Sequence, residues 1–105
     1  MTTPDKWIVL EIPNTGYKVF GSWAGGYLNG DSWRLNSGIK SITKEDNSYI
    51  IEGFSGSYYK CNESAYGVMT SYSESVLQNL LDKSSDNGVN IKRLTFEEFK
   101  QLNIC

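Results

Sequence analysis

The chain has 105 residues, the size of one domain. Charged residues make up 21% and apolar residues 39%, so the composition is that of a folded globule rather than a disordered segment. Ten basic residues against twelve acidic ones give a formal charge of -2, the wrong sign for a basic nucleic-acid binder and too mild for an acidic mimic of DNA.

Residues 1–105 read as a single domain whose first two-thirds is β and whose last third is mixed. Trp7 to Ile12 is rich in β-branched and aromatic residues and predicts a strand, which Pro13 stops. Tyr17 to Trp23 predicts a second strand with imperfect alternation, so both of its faces are expected to be partly covered. Ser32 to Ser37 is a short strand candidate. Ile39 and Ile42 lead into the polar turn Lys44-Glu45-Asp46-Asn47, and Tyr49-Ile50-Ile51 returns as the clearest hairpin in the chain. Phe54 to Cys61 and Tyr66 to Thr70 predict two further strands.

The period then changes. Val76, Leu77, Leu80 and Leu81 mark one helical face, with Ser71 or Ser73 as the cap, Ser71-x-x-Glu74 as a capping box and Asp82 to Gly88 as the end. Val89 to Leu94 predicts a last strand. Thr95-x-x-Glu98 is a second capping box, opening a short helix marked by Phe96, Phe99 and Leu102. The expected class is α+β: a small antiparallel sheet of five or six strands with one or two C-terminal helices packed on it. Ile8, Leu10, Val19, Ile42, Ile50, Val68, Leu77, Leu80, Phe96 and Phe99 are its expected core.

The chain contains no histidine, which removes Ser-His-Asp and Cys-His nucleophilic arrangements and most zinc sites. Phosphate-binding glycine loops of either standard pattern are missing too. Asp82 to Gly88 has the look of a calcium loop, but its glycine is one place late and Arg93 stands where a bidentate glutamate is needed. The carboxylates of Asp31 and Glu52 read as solvated or capping groups. A non-catalytic protein with no metal or cofactor is expected. The opening residues lack a signal-peptide pattern and no apolar run is long enough for a membrane span, so the expected location is the cytoplasm, with Cys61 and Cys105 as free thiols and Cys61 buried.

The information lies in Gly21 to Gly38, GSWAGGYLNGDSWRLNSG. Its eighteen residues hold five glycines, two tryptophans, a tyrosine and one of the two arginines. Each tryptophan carries about 200 Å² of apolar surface. Either the rings fill a small core, or a ligand or partner covers them. In the second reading Trp23, Tyr27 and Trp33 wall a pocket on which a flat ring stacks. Arg34 supplies a two-pronged contact to phosphate or carboxylate, and Asn29, Asn36 and Ser37 supply orienting hydrogen bonds. Tyr58, Tyr59 and Tyr66 extend the same aromatic surface. Tyrosine and arginine also suit a protein interface.

The run GSWAGGYLNGDSWRLNSGI, followed by FSGSYYKC and the tail segments VLQNLLDK and LTFEEFKQL, resembles a small accessory protein of large tailed bacteriophages. The resemblance implies a counter-defence or host-takeover factor acting in the host cytoplasm. Some such factors sequester nucleotide-derived immune signals, here a small anionic ligand, by a site that a second copy of the chain completes. Others inhibit a host enzyme or defence protein by direct contact, the alternative expectation. Single-stranded RNA fits the aromatic residues but not the charge, so nucleic acid is a disfavoured partner and a membrane is not expected.

Overall fold

The computed structural model describes residues 2–23, 32–67 and 69–102. The α+β class holds: the described residues form seven strands in two antiparallel sheets and two helices, one before the last strand and one after it. The strands divide between two sheets. A four-stranded sheet has the order β3-β2-β1-β7, with β1 Lys6–Ile12, β2 Gly16–Trp23, β3 Ser32–Leu35 and β7 Lys92–Arg93. A three-stranded sheet has the order β4-β5-β6, with β4 Ile39–Glu45, β5 Ser48–Gly53 and β6 Tyr58–Asn62. A single 3₁₀ turn, Glu63–Ala65, follows; the helices are α1, Ser71–Asp86, and α2, Phe96–Lys100.

The four-stranded sheet is the middle layer. Trp7, Ile8, Val9 and Leu10 are all buried, which an alternating strand with one wet face would not allow. Trp7 and Val9, with Val19 of β2, face the three-stranded sheet and meet Ile39, Tyr49, Ile51, Tyr59, Cys61 and the α2 residue Phe99. Ile8 and Leu10, with Phe20, face the other way onto Leu77 of α1. The unbroken apolar run of β1 thus reflects a strand covered on both sides.

Trp7 fixes how the layers meet. Its indole N–H donates to the Asn62 carbonyl at 2.7 Å, and its ring stands edge-on to Tyr66 and Phe99, with centroids 4.7 and 5.0 Å away. A buried tryptophan needs a partner for its one donor, and the end of β6 provides it.

Several expectations are corrected. Tyr66 to Thr70 is not a strand: Tyr66 forms an isolated bridge with Trp7, and Gly67, at φ 87°, turns the chain away. Val68 lies outside the described residues. The last strand shrinks to Lys92–Arg93 because a tyrosine hydroxyl is inserted beside it. The Val9 N–H donates to the Tyr66 hydroxyl oxygen at 3.2 Å, and that hydroxyl donates to the Leu94 carbonyl at 2.7 Å. The direct bond from the Leu94 N–H to the Val9 carbonyl, 3.0 Å, remains. Burial, ahead of every other influence, pushes the Tyr66 phenol pKa up to about 12, so the group stays a donor.

The α1 cap is Thr70, whose hydroxyl accepts from the Ser73 N–H; the Ser71 capping box does not form. Glu74 is drawn instead to Arg93, which donates to its two oxygens at 2.6 and 3.0 Å and ties the helix to the edge strand β7. The helix runs on to Asp86 before Gly88, at φ 82°, ends it, so the calcium-like segment from Asp82 is largely helical. Among the described residues no acidic or thiol cluster could hold a metal. The Thr95–Glu98 capping box forms as expected.

Of the expected core, Ile8, Leu10, Val19, Leu77 and Phe99 are buried, whereas Ile42, Leu80 and Phe96 are partly so. Ile51 takes the interior place expected of Ile50. Adjacent strand residues point to opposite faces, and the inward face is the one carrying Tyr49 and Ile51. Cys61 is fully buried and burial pushes its thiol pKa up to about 12, away from the reactive range. Cys105 lies outside the described residues. No helix among them is long and apolar enough to cross a membrane.

Replacing Tyr66 by Phe keeps the ring but strips the Val9 N–H and the Leu94 carbonyl of a partner. A loss of about 2–3 kcal/mol is expected, read as a lowered urea midpoint. The Glu74–Arg93 contact makes stability pH-dependent. Arg93, first through its hydrogen bonds, holds the Glu74 carboxyl below its ordinary 4.5. The stabilisation is therefore full above the ordinary value and is lost as pH falls through the lowered one. Glu74→Gln should be less stable than the native chain at neutral pH, and the two stability curves should converge in acid.

Candidate functional site

The β2–β3 ladder carries most of the sequence-predicted site, and its register distributes the side chains. Gly21 opposes Arg34, Ser22 opposes Trp33 and Trp23 opposes Ser32. Directly opposed residues share a face, so Trp23, Ser32 and Arg34 lie on one side of the sheet and Trp33 on the other. Tyr27 and Asn29 lie outside the described residues.

Gly21 makes the Trp23–Arg34 arrangement possible. A β-carbon there would lie 3.1 Å from the Pro4 β-carbon and 3.4 Å from the far edge of the Trp23 ring. The glycine therefore accepts Pro4 above it and lets the Trp23 ring fold back along the strand, towards the position opposite Arg34. The Trp23 indole N–H donates to the Thr3 carbonyl at 2.9 Å, which fixes the ring. The same N-terminal segment crosses to the second sheet, where Thr2 pairs with Tyr59.

A concavity of about 310 Å³ opens here, lined by Thr2, Trp23, Ser32, Trp33 and Arg34. It is an open groove at the sheet edge. Trp33 is 42% exposed despite stacking on Phe20, with centroids 5.6 Å apart and planes 12° from parallel. One face of its ring is thus occupied from within. Arg34 is exposed, and no carboxylate among the described residues pairs with it. Three of the sequence-predicted residues, Trp23, Trp33 and Arg34, are brought together. Thr2 and Ser32 join them through pairing across strands, for which the sequence carries no local signal.

Asn36 and Ser37 are placed elsewhere. Asn36 is buried, and its side-chain oxygen accepts from the Val19 N–H at 2.8 Å and the Gly38 N–H at 3.3 Å, while its amide donates to the Gly38 carbonyl at 3.2 Å. The Asn36 N–H still donates to the Val19 carbonyl at 3.0 Å, but the carboxamide oxygen replaces the Asn36 carbonyl as acceptor for the Val19 N–H, and the strand ends there. The Ser37 hydroxyl accepts from the Ser55 N–H at 3.0 Å and ties the β5–β6 turn to the start of β4. Tyr59 and Tyr66 serve the core, leaving Tyr58, 46% exposed, as the surface tyrosine of the three. Asp31 lies outside the described residues, and Glu52 is held by the Ser41 hydroxyl and Lys40.

These roles separate by mutation. Asn36→Ala strands buried backbone donors and should lower stability by about 2–4 kcal/mol in a urea titration, as expected for unpaired buried groups.

Comparison with protein-family models, with curated proteins and with solved structures finds no match for this chain.

Proposed function

We propose that the chain is a non-catalytic binding protein that takes a small, flat-ringed anion, such as a nucleotide-derived signal, in the groove beside β3. One observation carries this reading: Trp23, Trp33 and Arg34 line the same concavity. The Trp23 ring is held by Thr3 and offers a stiff aromatic wall, and stacking on such a ring is worth about 1–3 kcal/mol. Arg34 offers a charge-assisted fork for phosphate or carboxylate of comparable worth. Together with a few backbone contacts these reach roughly micromolar affinity. β3 is the edge of its sheet, which leaves room for a second copy of the chain to complete the groove. The buried, unreactive Cys61 and the lack of histidine suit a cytoplasmic binder without catalytic machinery. In a phage-infected cell, capture of a host signal would be a counter-defence role.

A second reading rests on a different observation. Phe54 is 68% exposed although its turn is tied down, with the Phe54 N–H on the Gly38 carbonyl and the Gly53 N–H on the Ser57 carbonyl. Together with Tyr58 it gives an ordered aromatic surface suited to inhibiting a host protein.

A panel of cyclic and ADP-ribose-type nucleotides, titrated by calorimetry, separates the two. Binding with roughly micromolar affinity is expected, and Arg34→Ala should weaken it about tenfold or more while leaving the thermal midpoint in place. Failure of every nucleotide to bind the native protein sinks the groove reading and leaves the Phe54–Tyr58 surface in front.

A further inference from the structure

A second cleft, sharing no residue with the Trp23 groove, lies between the β4–β5 hairpin and the end of α2. Its volume is about 350 Å³, and it is lined by Ile42, Lys44, Tyr49, Phe99, Lys100 and Leu102. The strands explain half of this set. Ile42 and Lys44 are alternate residues of β4 and share a face, and Tyr49 is the cross-strand partner of Lys44. Phe99 and Lys100 of α2, with Leu102 just beyond it, supply the rest, and Phe99 stands edge-on to Tyr49 at 4.9 Å and 81°.

Tyr49 is 6% exposed, and its hydroxyl has no hydrogen-bond partner among the described residues. Buried tyrosines normally satisfy that group. The unpartnered polar atoms sealed from solvent are those of Ser22 and Ser73, so the Tyr49 oxygen keeps access to the outside, and this residue's open side is the cleft. Two lysines, Lys44 and Lys100, line the same cleft. The Lys44 Nζ sits 5.7 Å from the Tyr49 ring centre, and the Lys100 Nζ sits 5.2 Å from that of Phe96. Lys44 has Glu63 at 3.6 Å; Lys100 has Glu97 at 3.0 Å and also feels the charge of Glu63. Exposed pairs of this kind are worth at most about 1 kcal/mol, and an ammonium has three donors, so both lysines can serve a further anion.

We propose that this cleft is a second binding site, for a small amphipathic anion with a ring-sized apolar body and one carboxylate head. The body lies on Ile42, Phe99 and Leu102. The head accepts the Tyr49 O–H and sits between the two ammonium groups. Glu97, first by its hydrogen bond, pushes the Lys100 pKa up, which keeps that ammonium charged. The site is independent of the reading given to the Trp23 groove.

The test is an NMR titration of the native protein with naphthoate, and with the neutral naphthylmethanol as control. Saturable shifts of the Ile42 and Leu102 methyl groups are expected, with the alcohol bound about tenfold more weakly. Tyr49→Phe removes an oxygen that holds nothing in the protein, so it should keep the thermal midpoint and lose about tenfold in naphthoate affinity. Lys44→Gln combined with Lys100→Gln should erase the preference for the anion over the alcohol. Shifts confined to the Trp23 and Trp33 indoles, equal binding of acid and alcohol, or an undiminished affinity in Tyr49→Phe would each overturn the proposal.

Discussion

The buried indole of Trp7 sets the condition that the rest of the molecule meets. It is the largest fully buried side chain, it sits on the central strand β1, and its single donor must be satisfied away from water. The Asn62 carbonyl does this from the last residue of β6. The three-stranded sheet is thereby held against the four-stranded one, and the rings of Tyr49, Tyr66 and Phe99 close around the indole. Through those contacts the position of α2, which starts thirty or so residues beyond β6 in the chain, depends on the same ring.

Tyr66 extends this arrangement to the sheet edge. Its ring packs on Trp7 while its hydroxyl stands between Val9 and Leu94, doing for the ladder what a backbone group would do in a regular strand. β7 is short for that reason, and the Arg93–Glu74 contact then fastens it to α1. One tyrosine and one ion pair thus anchor the C-terminal third to a sheet formed by the first third. The Asn36 carboxamide plays a similar part at the opposite edge, where it replaces a main-chain partner and releases the chain from β3 towards β4.

These devices consume many of the polar and aromatic groups, and they decide which are left over. Trp33, Arg34, Phe54 and Tyr58 stay at the surface although the protein has a core able to hold rings. Tyr49 is held in that core with a hydroxyl that has no protein partner among the described residues and opens onto a cleft. Aromatic surface that water disfavours, placed beside exposed cations, is the physical basis for reading the protein as a binder.

Local sequence determined the elements. β-branched and aromatic runs specified β1, β2 and the β4–β5 hairpin, the helical spacing of Val76, Leu77, Leu80 and Leu81 specified α1, and Thr95 with Glu98 specified the start of α2, because propensity, period and capping act over a few residues. It also singled out Gly21 to Gly38, since the clustering of rings, glycines and an arginine is itself a local property. Tertiary structure alone decided the division into two sheets, the burial of Ile51 in place of Ile50, and the use of Glu74 by Arg93 rather than by the helix cap. It alone separated Trp23 and Arg34, which reach the groove from one face of the sheet, from Asn36, whose carboxamide is spent on the backbone. Which face of a strand turns inward, and which partner a buried polar group finds, depend on residues far away in the chain, and the spacing of neighbours carries no record of them.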